Sequence, residues 1–162
     1  MLHPPVSITL SLSGTVSLPA FLTYIDTQGL TTTLIFLVGA VTATTTVVLT
    51  PSLATVSANL AFAGHAFKIA AYQSGAQQPD FIFGQPVIVT IHYSEQDVRL
   101  ISDESLLILY RWENNTWVDA ACGPYTRWLA DMKLTVPICH LSQFALLGPT
   151  NKIYLPLILR RW

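Results

Sequence analysis

The sequence predicts an all-β chain folded as an antiparallel β-sandwich of about nine to ten strands. Three observations carry this expectation. Short segments rich in Val, Ile, Thr and aromatic residues recur along the chain. Clusters of Gly, Pro, Asn and Asp separate them, at the spacing of roughly 8–12 residues that sandwich strands and their turns require. No stretch repeats its apolar residues with a helical period.

The elements follow in order. Val6, Ile8, Leu10 and Leu12 alternate with small polar residues, the pattern of a half-buried strand. Phe21 to Ile25 and Leu30 to Leu37 flank Asp26-Thr27-Gln28-Gly29, a hairpin loop in which the glycine supplies a positive φ. Thr42 to Thr50 is a strand ended by Pro51, which has no N–H to give to a ladder. Ala61 to Tyr72 reads as extended, with Phe62 and Phe67 as candidate core anchors, and Gly75 to Asp80 as a loop. Pro86 to Tyr93 (PVIVTIHY) reads as the best central strand, with its proline at the start. Ser94 to Ser105 concentrates the acidic residues and reads as a turn of helix or a surface loop. Leu106 to Trp112 and Thr116 to Ala121 form a hairpin around Glu113-Asn114-Asn115, which sets Trp112 and Trp117 to pair across the strands. Lys133 to Ile138 and Ser142 to Leu147 supply the last two strands, read as a final hairpin.

Composition bounds the function. The 162 residues are 51% apolar and only 10% charged, against about 25% charged in ordinary soluble domains. Of the Lys, Arg, Asp and Glu residues, only Asp26 precedes Lys68. The net charge is −1, and apart from Arg160-Arg161 there is no basic cluster, so nucleic acid is not an expected partner. Leu30 to Leu49 is uncharged and long enough to span a bilayer. Its seven threonines, the break at Gly39 and the stop at Pro51 favour two strands instead. Residues 1–19 are expected to be an N-terminal β segment continuing from preceding domains of a longer exported chain, because no basic stretch precedes a compact apolar core there. Residues 20–149 form the sandwich, and 150–162 an apolar tail with basic ends.

The candidate chemistry concentrates near the C-terminus. Cys122 and Cys139 are expected to form a disulfide, with a pair of buried thiols as the alternative. In His140-Leu141-Ser142 the serine hydroxyl is one residue from the Leu141 carbonyl, and a histidine base sits beside it. Attack of Ser142 on Leu141 would shift the acyl group from nitrogen to oxygen, and hydrolysis of the ester would cut the chain. The plainer reading makes Ser142 a strand residue. Glu95, Asp97, Asp103 and Glu104 offer oxygen ligands for calcium, but without EF-hand spacing, so a solvated acidic loop is the leading expectation. His65 and His92 fall in apolar strands and read as packed residues. Asn114-Asn115-Thr116 is a formal glycosylation acceptor. No phosphate-binding glycine loop, zincin helix or nucleophile elbow is present, and no cofactor is expected.

Two stretches resemble the ZU5 domain family. TTTLIFLVGAVTATTTVVLTP (Thr31 to Pro51) is similar to that family's opening pair of strands around a Gly-Ala turn. Within Pro86 to Gly148, DESLLILYRWENNTWVDA and CHLSQFALLG resemble the later strands of such domains in bacterial surface proteins. The resemblance implies a ZU5-like β-sandwich used in protein interaction. Some members, like the related GAIN domains, cut themselves at a His-hydrophobic-Ser/Thr site, which falls here on His140, Leu141 and Ser142. The tail KIYLPLILRRW is similar to those ending many bacterial secreted proteins.

Three functional expectations result. The first is a non-catalytic extracellular module, structural or adhesive, with a protein or cell-surface partner. The second is autoproteolysis between Leu141 and Ser142. The third is a carbohydrate- or calcium-binding module using the acidic segment and exposed faces of Trp112, Trp117 or Trp128.

Overall fold

Apolar side chains at alternate positions give each strand one face for a core, and two such faces packed together make the sandwich. The computed structural model describes residues 4–10, 19–56, 59–79 and 81–150. One sheet holds β1 (Val6–Leu10), β4 (Thr45–Pro51), β5 (Leu60–Gln73), β12 (Gln143–Pro149), β8 (Ile108–Glu113) and β9 (Thr116–Asp119), in that order across the sheet. The two-residue β6 (Ala76–Gln77) pairs with the end of β5. The second sheet runs β10 (Thr126–Trp128), β11 (Lys133–His140), β7 (Ile82–His92), β3 (Thr31–Phe36) and β2 (Ala20–Ile25). All pairings are antiparallel.

The expected all-β sandwich is therefore the observed one, with twelve strands among the described residues. The two additional strands are β6, inside the stretch read as a loop, and β10; both are too short to show an alternation. The predicted hairpin turns are in place. Gly29 has a φ of +83°, and Asp26 Oδ1 accepts from the Gln28 and Leu30 amides to hold the loop. Asn114 and Asn115 both have positive φ, making a two-residue turn, and the Trp112 and Trp117 rings meet edge to face at 5.0 Å. Pro86 lies inside β7 rather than at its start. It is accommodated because β3 pairs only from Val87 onward and the β7–β11 register shifts between Ile138 and His140.

The core lies between the sheets. From the five-stranded sheet come Leu34, Phe36, Val87, Val89, Ile91, Leu134, Val136 and Ile138; facing them are Val47, Leu49, Phe67, Ile69, Leu109, Phe144 and Leu146. Phe67 and Phe144 stack at 5.5 Å across β5 and β12. Leu30 to Leu49 supplies β3 and the start of β4, and among the described residues no helix is long and apolar enough to cross a membrane.

The chain changes sheets at two places near the candidate residues. After β9, Ala120 donates to Leu109 O in one sheet, and Cys122 then donates to Pro137 O in the other. The Cys122–Cys139 disulfide forms here, with its Cα atoms 6.0 Å apart. Tyr125 donates to Asp119 Oδ1 at 2.6 Å, and Arg127 Nη2 reaches back to Leu107 O at 2.8 Å. The second change is His140 to Ser142. Because β11 and β12 lie in different sheets, the final hairpin expected from the sequence does not exist. The disulfide instead secures a crossover between sheets. With 17 residues separating the cysteines, the cross-link restricts the unfolded chain by about 3 kcal/mol on the chain-entropy argument. A Cys122→Ser/Cys139→Ser variant should lose roughly that much stability in urea unfolding. A loss well under 1 kcal/mol would assign the crossover to Tyr125 and Arg127 alone.

Candidate functional site

His140, Leu141 and Ser142 sit at the second crossover. His140 is exposed, whereas Leu141 is partly buried against the core. The Ser142 hydroxyl donates to Trp112 O at 2.7 Å, and Ser142 O accepts from the Ile69 amide at 3.0 Å. None of the three residues has a positive φ, and the Leu141–Ser142 bond is trans. Among the described residues no hydrogen bond joins His140 to Ser142. The hydroxyl that would attack the Leu141 carbonyl is thus directed at a neighbouring strand.

The acidic segment folds as a four-residue helix α1 (Glu95–Val98) followed by a 3₁₀ turn over Glu104–Leu106. Its four carboxylates are not brought together. Asp97 turns inward and is buried, accepting from the Ser94 amide at 2.8 Å and from the Ser94 hydroxyl at 2.7 Å as the second half of a capping box. Asp103 accepts from the Ser105 amide and hydroxyl, bonds that hold its carboxyl below the usual range. Glu104 accepts from Tyr93 Oη at 2.7 Å, and Glu95 is exposed. Among the described residues no group of three His, Cys, Asp or Glu side chains converges to hold a metal. The solvated loop expected here is therefore corrected at Asp97. The signal lay in Ser94 standing three positions before an acidic residue.

Asp97 packs against β5 at a bulge. The β5–β12 register shifts between Ala145 and Leu147, and Gly64 on the bulge has a φ of +75°. A Cβ at Gly64 would collide with the Asp97 carboxylate, so both the conformation and the close approach require glycine. The next residue, His65, is 5% exposed. Its Nε2 has no hydrogen-bond partner; Asp97 Oδ2 is 3.9 Å away, beyond hydrogen-bond reach. Burial pulls the His65 pKa below its ordinary value, an effect that Asp97 and Asp26 oppose and His92 reinforces. His92 itself is bonded through Nδ1 to Thr31 Oγ1 at 2.8 Å.

His65 also belongs to a cleft of about 140 Å³ between the sheets. The β2–β3 loop walls one side with Tyr24, Asp26, Thr27 and Gln28. Pro51, Ser52 and the β5 bulge wall the other, and Thr32 and Phe67 contribute from within. Ser52 Oγ is a second buried polar atom without a hydrogen-bond partner. Sequence reading treated His65 as packing and did not single out Ser52. Neither lies in a motif, and only the bulge and the strand ends bring them to one place.

A further feature emerges from strand register. On the outer face of the five-stranded sheet, Thr23, Thr33, Thr90, Thr135 and Thr126 align in one row across all five strands. Thr23 and Thr33 are hydrogen bonded at 3.2 Å, Thr90 and Thr135 at 2.9 Å. An apolar row of Phe21, Ile35, Ile88 and Pro137 lies on one side. On the other side lie Ile25, Thr31, His92, Lys133 and Trp128, with the Lys133 ammonium 4.2 Å from the Trp128 ring centre. Lys133 is the one Lys, Arg, Asp or Glu residue in these three rows. Of the tryptophans considered as ligand platforms, Trp112 and Trp128 are about 40% exposed. Trp117 is only partly exposed, and its Nε1 donates to Thr55 O.

The His65 environment makes stability depend on pH. The folded protein holds the imidazole neutral, while the unfolded chain takes up a proton near 6.5, the ordinary value. The unfolded state therefore gains protons first as pH falls. Stability should be level above that pH and decline below it, with part of the slope removed in His65→Gln. Urea midpoints across this range check it; equal slopes in both proteins would place the acid sensitivity elsewhere. No family model matches this chain, and no curated protein matches it.

Proposed function

We propose that this chain is a non-catalytic, ZU5-like structural and adhesive module of an exported bacterial protein. The observation that carries this reading is the engagement of the Ser142 hydroxyl with Trp112 O, at a crossover whose neighbouring strand is secured by the Cys122–Cys139 disulfide. Both interactions hold the corner between sheets, and the Ser142 hydroxyl is directed at a carbonyl acceptor, with no hydrogen bond among the described residues to His140, the base that self-cleavage would use. The disulfide is also compatible with an oxidising compartment.

The surface offered to a partner is the outer face of the five-stranded sheet. Its rows of threonine and apolar side chains carry a single formal charge, at Lys133. Covering it costs little ion desolvation, which fits a protein surface that is itself uncharged and hydroxyl-bearing.

Two measurements test the reading. Under denaturing conditions the chain should run as one species of full mass. A fragment beginning at Ser142, abolished in Ser142→Ala, would instead establish self-cleavage. In the second, retention of the purified chain on whole bacterial cells should persist in high salt and fall when Thr33→Glu and Thr135→Glu are combined. Retention indifferent to that pair would move the contact to another surface.

A further inference from the structure

A strand at the edge of a sheet carries a row of backbone N–H and C=O groups with no ladder partner. Folded proteins blunt such edges with short strands, charges, prolines or bulges. Most edges here are blunted in this way. β6, β10 and β9 run for two, three and four residues, and the last two carry Arg127 and Asp119. On β1 only Ser7 and Thr9 are exposed. The remaining edge strand, β2, has none of these devices. Ala20–Ile25 (AFLTYI) holds no charge and no proline, and all six residues pair with β3 in one unbroken register.

The register identifies the open groups. Asp26 donates to Leu30 O, so these two residues form a hydrogen-bonded pair at the end of the ladder. Such pairs alternate along antiparallel strands, so Tyr24, Leu22 and Ala20 direct their backbone groups to β3. Phe21, Thr23 and Ile25 direct theirs away from β3, and they meet no backbone partner among the described residues. The side chains of the same three residues stand on the outer face, where Phe21 is 56% and Ile25 53% exposed.

This edge is complementary to itself. Antiparallel pairing about a two-fold axis at Thr23 sets Thr23 against its own copy, and Phe21 of each chain against Ile25 of the other. Each of these pairs exchanges two backbone hydrogen bonds. Phenylalanine opposite isoleucine is a favourable cross-strand contact. Asp26, the nearest formal charge in sequence, comes to lie at opposite ends of the new pairing. The two carboxylates are then about 20 Å apart along the strands, beyond the Debye length of about 8 Å at physiological salt.

We propose that the free edge of β2 joins a second copy of this chain, making one continuous ten-stranded sheet from two five-stranded ones. The threonine row of one copy then runs on into that of the other. One strand pairing of this length buries less than the roughly 1,200 Å² of a standard interface, so the dimer forms at high concentration and dissociates on dilution. It stands whether or not the outer face takes the partner proposed above.

Sedimentation velocity of the purified full chain, from micromolar to millimolar concentration, tests the dimer. The wild-type chain should pass from monomer to dimer across that range. Thr23→Lys and Thr23→Glu each place like charges opposite one another at the axis, and each should weaken association by roughly fivefold. An equal mixture of the two variants should recover it, because opposite charges then meet, and that recovery shows both variants to be folded. Thr126→Lys, at the far end of the same threonine row on β10, should associate like the wild type. The proposal is overturned if the wild-type chain stays monomeric at millimolar concentration, or if neither Thr23 variant weakens the dimer. It is equally overturned if the mixture associates no better than either variant alone, or if Thr126→Lys weakens association as much as Thr23→Lys.

Discussion

Because side chains alternate between the faces of a strand, the pairing of β7 with β3 and β11 settles two surfaces at once. Val87, Val89 and Ile91 point into the core and are fully buried, and each is in register with a residue of β11. The residues between them, Ile88, Thr90 and His92, must then face outward beside Ile35, Thr33 and Thr31. A slip of one residue would exchange these sets, placing Thr90 and His92 in the core and two valines in water. The outer threonine row is thus a by-product of the same register that buries the core, and it inherits the core's rigidity.

Much of this architecture is legible in the chain. Alternation located ten of the twelve strands, and Gly29 and the Asn114-Asn115 pair marked two hairpin turns through their need for positive φ. The Trp112–Trp117 pair followed directly from that second turn. What failed was pairing at a distance. Lys133 to Ile138 and Ser142 to Leu147 stand three residues apart, with the spacing of a hairpin. Nothing local distinguishes a turn that returns within a sheet from a corner that leaves it. The corner exists because Leu146 and its neighbours complete the sheet between β5 and β8, a choice made by packing rather than by the three residues in between. The threonine row was invisible for a related reason. Its members lie between positions 23 and 135 on five strands, and only register assembles them.

Buried polarity shows the same division. Thr45, which is fully buried, is satisfied by Ala43 O and by the Gln73 amide, so its burial costs little. Asp97 is satisfied by Ser94 within its own helical turn, a motif short enough to be read from sequence. His65 differs, because its surroundings come from the β5 bulge and from α1 folded over Gly64. One glycine conformation therefore controls how near a carboxylate comes to an imidazole. Residues 151–162, with the apolar-basic tail, lie outside the described residues.

The place of β12 has a consequence for how the molecule is made. It is the last strand among the described residues, yet it lies between β5 and β8 in the middle of its sheet. Until it emerges from the ribosome, β1, β4 and β5 form one fragment and β8 and β9 another, each with an open edge. Closure depends on contacts between residues far apart in sequence, which makes folding slow and leaves those edges exposed in the meantime. A growing chain of this design holds two half-sheets with complementary open edges until β12 is available to join them, so its exposure to wrong pairing is set by the delay before one strand arrives.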